Sequence, residues 1–247
     1  MANTTEGHGE VRVQAIALAR EVVSQVSLNI APHFRVKVEE PPRIFEFASL
    51  MRASRLLEGM ITLYEQSNHD VAECLMRPVI ECMLVGTFLS LRPEEGWEML
   101  TNDAGLQHER MGKAGLTGFA ELANEMPWGR KAINWRDLSE RLSVLRQGAD
   151  GTTAKAKSVY DHFYRRASYS DVHTGYGALI GYVDLTQPRG RVVKERHDGT
   201  APLPLLLTAF FVVDLAVTVS KDIGLRTDLL EPLFERVCEV ALLMVTE

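Results

Sequence analysis

"CLMRPVIECMLVGTFLSL", residues 74–91, is apolar on every side of a helical wheel yet carries Arg77 and Glu81. A helix without a polar face is buried all round, so this stretch belongs at the centre of a helical bundle. Arg77 and Glu81 lie about 40° apart and one turn from each other. An isolated buried ion is too costly to keep ionised, so the two are expected to pair with each other and with a further partner. Pro78 between them removes a backbone N–H and frees the carbonyl of Cys74, which predicts a kink.

Outward from this helix, apolar residues recur every three or four positions and period-two alternation is almost absent, which predicts an all-α fold. A first helix is expected over about Val11–Ile30, closed by Pro32, after a polar lead-in at 1–10 that reads as disordered. A second follows "EEPP", since proline is tolerated in a first helical turn. The third, about Val71–Arg92, takes its cap from "SNHD", with Asp70 the expected cap. "PEEGWEMLTNDAGLQHERMG" has helical character but few large apolar residues. "NWRDLSERLSVL" reads as a short helix capped by Asn134, and Ala154–His173 as another that Gly175 terminates. Two last helices, Leu205–Ile223 and Asp228–Val245, flank "GLRTD", which pairs a stop glycine with capping residues. Residues 11–247 read as a single domain whose polar loop, 184–202, is expected to be its most mobile internal segment, as a hairpin or an open loop.

The 247 residues are enough for a sizeable core, since chains of this length bury roughly three quarters of their extended surface. A formal charge of −6 gives no global pull toward nucleic acid or anionic membrane. Three cysteines without a CxxC pair point to a reducing, cytoplasmic setting. The beginning of the sequence has neither the basic start nor the apolar run of a signal peptide. "LPLLLTAFFVVDLAVTVS", residues 203–220, falls short of the ~20 apolar residues of a membrane span. Asp214 near its middle would cost about 2.5–3.5 kcal/mol in a bilayer. A buried core helix is the expectation, with no membrane partner.

Metal and cofactor signatures are missing. No HExxH, CxxC or carboxylate–histidine cluster has ligand spacing, and "QHERMG" around His108 lacks a second histidine. "GYGALIG" carries one residue too many for a dinucleotide fingerprint and follows a helix, not a strand. Neither a metal nor a cofactor is expected.

"YRRASYSDVHTGYG", residues 164–177, carries the remaining chemistry. On one helix His162, Arg166, Ser170 and His173 fall within an arc of about 80°, with Val159 among them, so Arg166 should be at least partly buried. Arg166 and His173 stand about 10.5 Å apart along the axis, a span that two long side chains could close around one phosphate. Lys155, Lys157, Arg165 and Arg166 outnumber Asp161 and Asp171 there, and the polar loop adds Arg189, Arg191, Lys194 and Arg196.

"ASRLLEGMITLYEQSNHDVAECLMRPVIECML", together with "WRDLSERL" and "VYDHFYRRASYSDVH", resembles the helical family called domain of unknown function 5677, over a core of about residues 45–180. That family brings no established activity. A wider resemblance is to the HEPN superfamily, helical bundles whose active members carry Arg-x(4–6)-His, a spacing that Arg166 and His173 meet at its upper limit. Many active members follow the arginine with Asn, Asp or His, where this chain has Ala167.

The HEPN resemblance implies metal-independent RNA cleavage in defence or toxin–antitoxin function, often by a homodimer with apposed motifs. His173 would move a proton at a ribose 2′-hydroxyl while Arg166 stabilises charge on the phosphate. The competing reading is a non-enzymatic binding or scaffold protein. There Arg77, Glu81, His162, Arg166, Ser170 and His173 form a structural network, because buried polar groups as a rule find partners. An open electropositive cleft would favour the enzyme, and a sealed salt-bridged knot the scaffold.

Overall fold

A computed structural model describes residues 4–33, 40–116, 118, 121, 124–125, 127–149, 164, 183–184, 191–192 and 202–246. The protein is all-α. Helix α1 covers Thr4–Gln25 and continues as a π-helical turn, Val26–Ile30, and a short 3₁₀ turn, Ala31–His33. Then come α2 (Pro41–Glu65), α3 (His69–Glu73), α4 (Met76–Leu91), α5 (Pro93–Lys113), α6 (Trp135–Ala149), α7 (Leu203–Asp222) and α8 (Leu230–Thr246). Two-residue strands β1 (Val183–Asp184) and β2 (Arg191–Val192) pair antiparallel, Val183 opposite Val192 and Asp184 opposite Arg191. The rest of the polar loop up to residue 201 lies outside the described residues.

Local chemistry sets most boundaries. α2 starts on the proline pair, where a missing N–H costs nothing. Asn134 Oδ1 accepts from the N–H of Asp137 at 3.1 Å, the expected cap of α6. α7 ends on Gly224, at φ +72°, with the N–H of Leu225 reaching back to the Ser220 carbonyl at 2.8 Å. This closing geometry takes glycine because a Cβ is disfavoured at that φ.

Three expectations are corrected. α1 begins at Thr4, not Val11, so residues 4–10 of the lead-in belong to the helix; once a helix is nucleated, each added residue gains a hydrogen bond at little further cost. The expected helix over Val71–Arg92 is two, broken at Cys74–Leu75. The interruption sits where Pro78 denies the Cys74 carbonyl its donor, the kink expected there, and both Cys74 and Leu75 keep right-handed helical dihedrals. Asn68, not Asp70, occupies the cap position of α3, because Ser67 at φ +60° turns the chain one step early. Asp70 lies in the first turn, where the helix dipole favours its charge.

α4 and α7 form the centre. Ile80, Leu84 and Phe88 of α4 are fully buried, as are Leu205, Val212, Leu215 and Val219 of α7. α2 covers them with Leu50, Ala53, Leu57, Met60 and Tyr64, a stripe at three- and four-residue spacing. α1 and α8 flank this layer through Ala15, Leu18 and Val22, and through Leu230, Leu233 and Val237. α5 docks through small residues instead, with Gly96, Thr101 and Gly105 as its buried positions. α6 seats Leu138 and Leu142 and lays the Arg141 guanidinium over the Phe88 ring, 4.6 Å from its centroid.

The three inner helices converge at Gly86. A Cβ there would stand 2.7 Å from Leu215 Cδ1 on α7 and 3.2 Å from Ser49 Cβ on α2. Gly86→Val should therefore lower stability by about 1–3 kcal/mol, the usual cost of overpacking a filled core. Chemical denaturation checks this, and an unchanged midpoint would contradict the crossing.

Candidate functional site

Arg77 and Glu81 sit on the first two turns of α4, just after the break. Arg77 Nε donates to Glu81 Oε1 at 3.1 Å, and the Tyr164 hydroxyl donates to the same oxygen at 3.1 Å. The guanidinium lies 4.9 Å from the Tyr164 ring centroid, a cation–π contact. Tyr164 is buried and packs at a tilt against Trp135, centroids 6.2 Å apart. Burial first, then the charge of Glu81, pushes its hydroxyl up to about 12, so it serves as a donor at neutral pH. Burial pulls the Arg77 guanidinium down, but Tyr164 and Glu81 together outweigh it and raise its pKa.

Arg77 and Glu81 pair, as expected, and their further partner is Tyr164, two residues before Arg166. They are not sealed, however: their side chains remain 26% and 28% exposed. They lie at the end of α4 next to the break, where a charged pair keeps part of its hydration and escapes most of the desolvation cost. His162, Arg166, Ser170 and His173 lie outside the described residues. Arg55 and Glu58 form a solvated pair at 2.8 Å. Cys82 is buried, and burial above all pushes its thiol up to about 11, so little thiolate exists at neutral pH. Among the described residues, no group of three or more His, Cys, Asp or Glu is placed to hold a metal ion.

Sequence reasoning missed a second cluster. Asp214, the acid inside the apolar α7, accepts from Arg146 Nη2 of α6 at 2.8 Å, and that nitrogen also lies 3.5 Å from Thr87 Oγ1 of α4. Both side chains are less than one fifth exposed. The pair forms part of the wall of a cleft of about 1020 Å³ among α4, α6, α7 and α8. Leu91, Phe210, Val217 and Phe234 supply its apolar surface, and Ser90, Lys221, Asp222, Glu231 and Glu235 much of its polar surface.

Behind Ser90 and Asp222 stands Glu46 of α2, 1% exposed. Its carboxyl is pushed up to about 8, first by burial, then by the charge of Asp222 and a hydrogen bond with it, while Arg43 and Ser90 pull the other way. Glu46 is therefore mostly a neutral acid at pH 7, beside an Asp222 that is ion-paired to Arg43. Among the described residues, Glu46 Oε1 has no hydrogen-bond partner. One signal was readable: Glu46 lies four residues before Leu50 and eleven before Leu57, so it falls on the buried stripe of α2.

No family model, no curated protein and no solved structure matches this chain. The family resemblances rest on the quoted motifs alone.

Two outcomes follow from these geometries. Glu81→Ala leaves the buried Tyr164 hydroxyl without this acceptor and should cost about 1–3 kcal/mol in denaturation; Tyr164→Phe, which keeps the ion pair, should cost less. Equal, negligible losses would mean that the network holds nothing. For Glu46 the folded pKa lies above its ordinary value of 4.5, so the native state keeps a proton that the unfolded chain releases. Native stability from this group is full below pH 4.5 and drains away as pH rises toward 8. Glu46→Gln keeps the neutral shape without the titration. Its stability relative to the parent should rise across that window, with a slope no steeper than about 1.4 kcal/mol per pH unit. Parallel stability–pH curves would refute the assignment.

Proposed function

We propose that this chain is a non-enzymatic helical binding protein, with Arg77, Glu81 and Tyr164 as a structural tie and the α4–α6–α7–α8 cleft as its binding site. The observation that carries this is the Arg146–Asp214 pair in the wall of a 1020 Å³ cleft, joined to apolar surface from Phe210 and Phe234. Binding sites for small molecules combine an apolar wall with a few fixed polar groups in volumes of about 300–1,000 Å³. The Arg77–Glu81 pair supports a structural role for that network, since each charge is already spent on the other and on Tyr164. We place the protein in the cytoplasm, off the membrane. Residues 69–91 and α7 are both long and apolar enough to cross a bilayer, but 61% of each apolar window is buried in the bundle and Asp214 is ion-paired there.

The test is a fragment screen by protein-observed NMR, repeated on Val217→Trp, which fills the cleft. Fragments should perturb resonances of Thr87, Arg146, Val217 and Phe234 in the parent, and the variant should lose those perturbations while keeping its thermal midpoint. Perturbations elsewhere, or none, would overturn the reading.

The second reading is metal-independent RNA cleavage by Arg166 and His173, in a HEPN-like homodimer serving defence or a toxin–antitoxin pair. It is favoured by the partial exposure of Arg77 and Glu81, which is not the sealed knot a purely structural network would make. Tyr164 also fixes the chain two residues before Arg166 against α4. Purified protein with mixed RNA in a chelator should then cleave it, and folded His173→Ala and Arg166→Ala variants should not. An inert wild type rules out this reading and leaves the first.

A further inference from the structure

We propose that the ligand of the cleft is an amphipathic organic cation, an ammonium or guanidinium head on an apolar body; this rests on the binding reading above. The charge around the cleft points that way. Four acids, Asp214, Asp222, Glu231 and Glu235, face two bases, Arg146 and Lys221. Both bases are committed, Arg146 to Asp214 and Lys221 to Glu231 at 3.4 Å. Arg43 answers Asp222 from behind. Among the described residues one negative charge is left over, on the exposed Glu235, which has no ion pair there.

An anion entering the cleft would have to strip Arg146 from Asp214, leaving a partly buried carboxylate uncompensated. A cation displaces nothing. It adds a partner for Glu235 and lies near Asp222. The cleft wall also offers carboxylate acceptors in Glu235 and Asp222. Ammonium and guanidinium groups bring donors only. The apolar half of the ligand has its counterpart in Phe210 and Phe234, whose ring centroids lie 4.9 Å apart at a tilt, and in Val217 and Leu91 between α7 and α4. Aromatic faces next to a carboxylate favour a cationic head as well as an apolar body.

Three probes of one shape separate the terms: 2-phenylethylamine, 2-phenylethanol and 3-phenylpropionate, titrated into the full chain by calorimetry with NMR shifts locating each. The amine should bind about tenfold or more tighter than the alcohol, with the acid weakest. Glu235→Gln should weaken the amine at least about threefold and leave the alcohol unchanged, and added salt should weaken only the amine. Val217→Trp should abolish all three while the thermal midpoint holds. Alcohol binding as tightly as amine, or acid tighter than both, overturns the cation assignment and leaves the binding reading standing. Failure of all three at millimolar concentration, or indifference to Val217→Trp, overturns both.

Discussion

Everything else in the structure leans on the crossing of α4 with α2 and α7 at Gly86. Two helices without a polar face cannot both be satisfied on the surface, so each must bury the other. The absent Cβ at Gly86 leaves room for the Leu215 side chain of α7 and for Ser49 of α2 at one point. Once α4 and α7 are back to back, α2, α1 and α8 need only one apolar stripe each. The two polar clusters then fall at opposite ends of α4, where its buried stretch meets the break at Cys74–Leu75 and the start of α5.

The ends of α4 therefore carry different chemistry. At the first, Arg77, Glu81 and Tyr164 share one carboxylate oxygen, an economical network that fixes a distant piece of chain. At the second, Ser90 and Leu91 open onto a cleft whose other walls come from α6, α7 and α8. The neutral Glu46 behind it spares the fold a second buried negative charge beside Asp222. Two carboxyls at close range resist joint ionisation, and here the more buried one keeps its proton.

Helix class, the Pro78 interruption, the Asn134 cap and the Gly224 stop were legible in the sequence, because each is a local rule acting within a few residues. The Arg77–Glu81 pair was legible for the same reason, being one turn apart on one helix. Tyr164 was not: its partnership with Glu81 spans 83 positions, and only packing decides it. Asp214 was noticed as an interruption of an apolar run, but nothing local names Arg146, 68 positions away, as its partner. Glu46 was overlooked although its place on the α2 stripe marks it as buried; a carboxylate between two phenylalanines reads as surface until the helix period is counted.

The central pairing also fixes a waiting time. Roughly 110 residues separate Leu91 from Leu203, and synthesis proceeds at ~5–20 residues per second, so α4 leaves the ribosome on the order of ten seconds before α7 can cover it. Through that interval α4 can pack against α2, α5 and α6 but lacks α7, a main partner in the core. The apolar surface of α4 that α7 will cover therefore stays open to solvent while residues 92–202 are made, and transiently exposed surface of this kind is where aggregation begins.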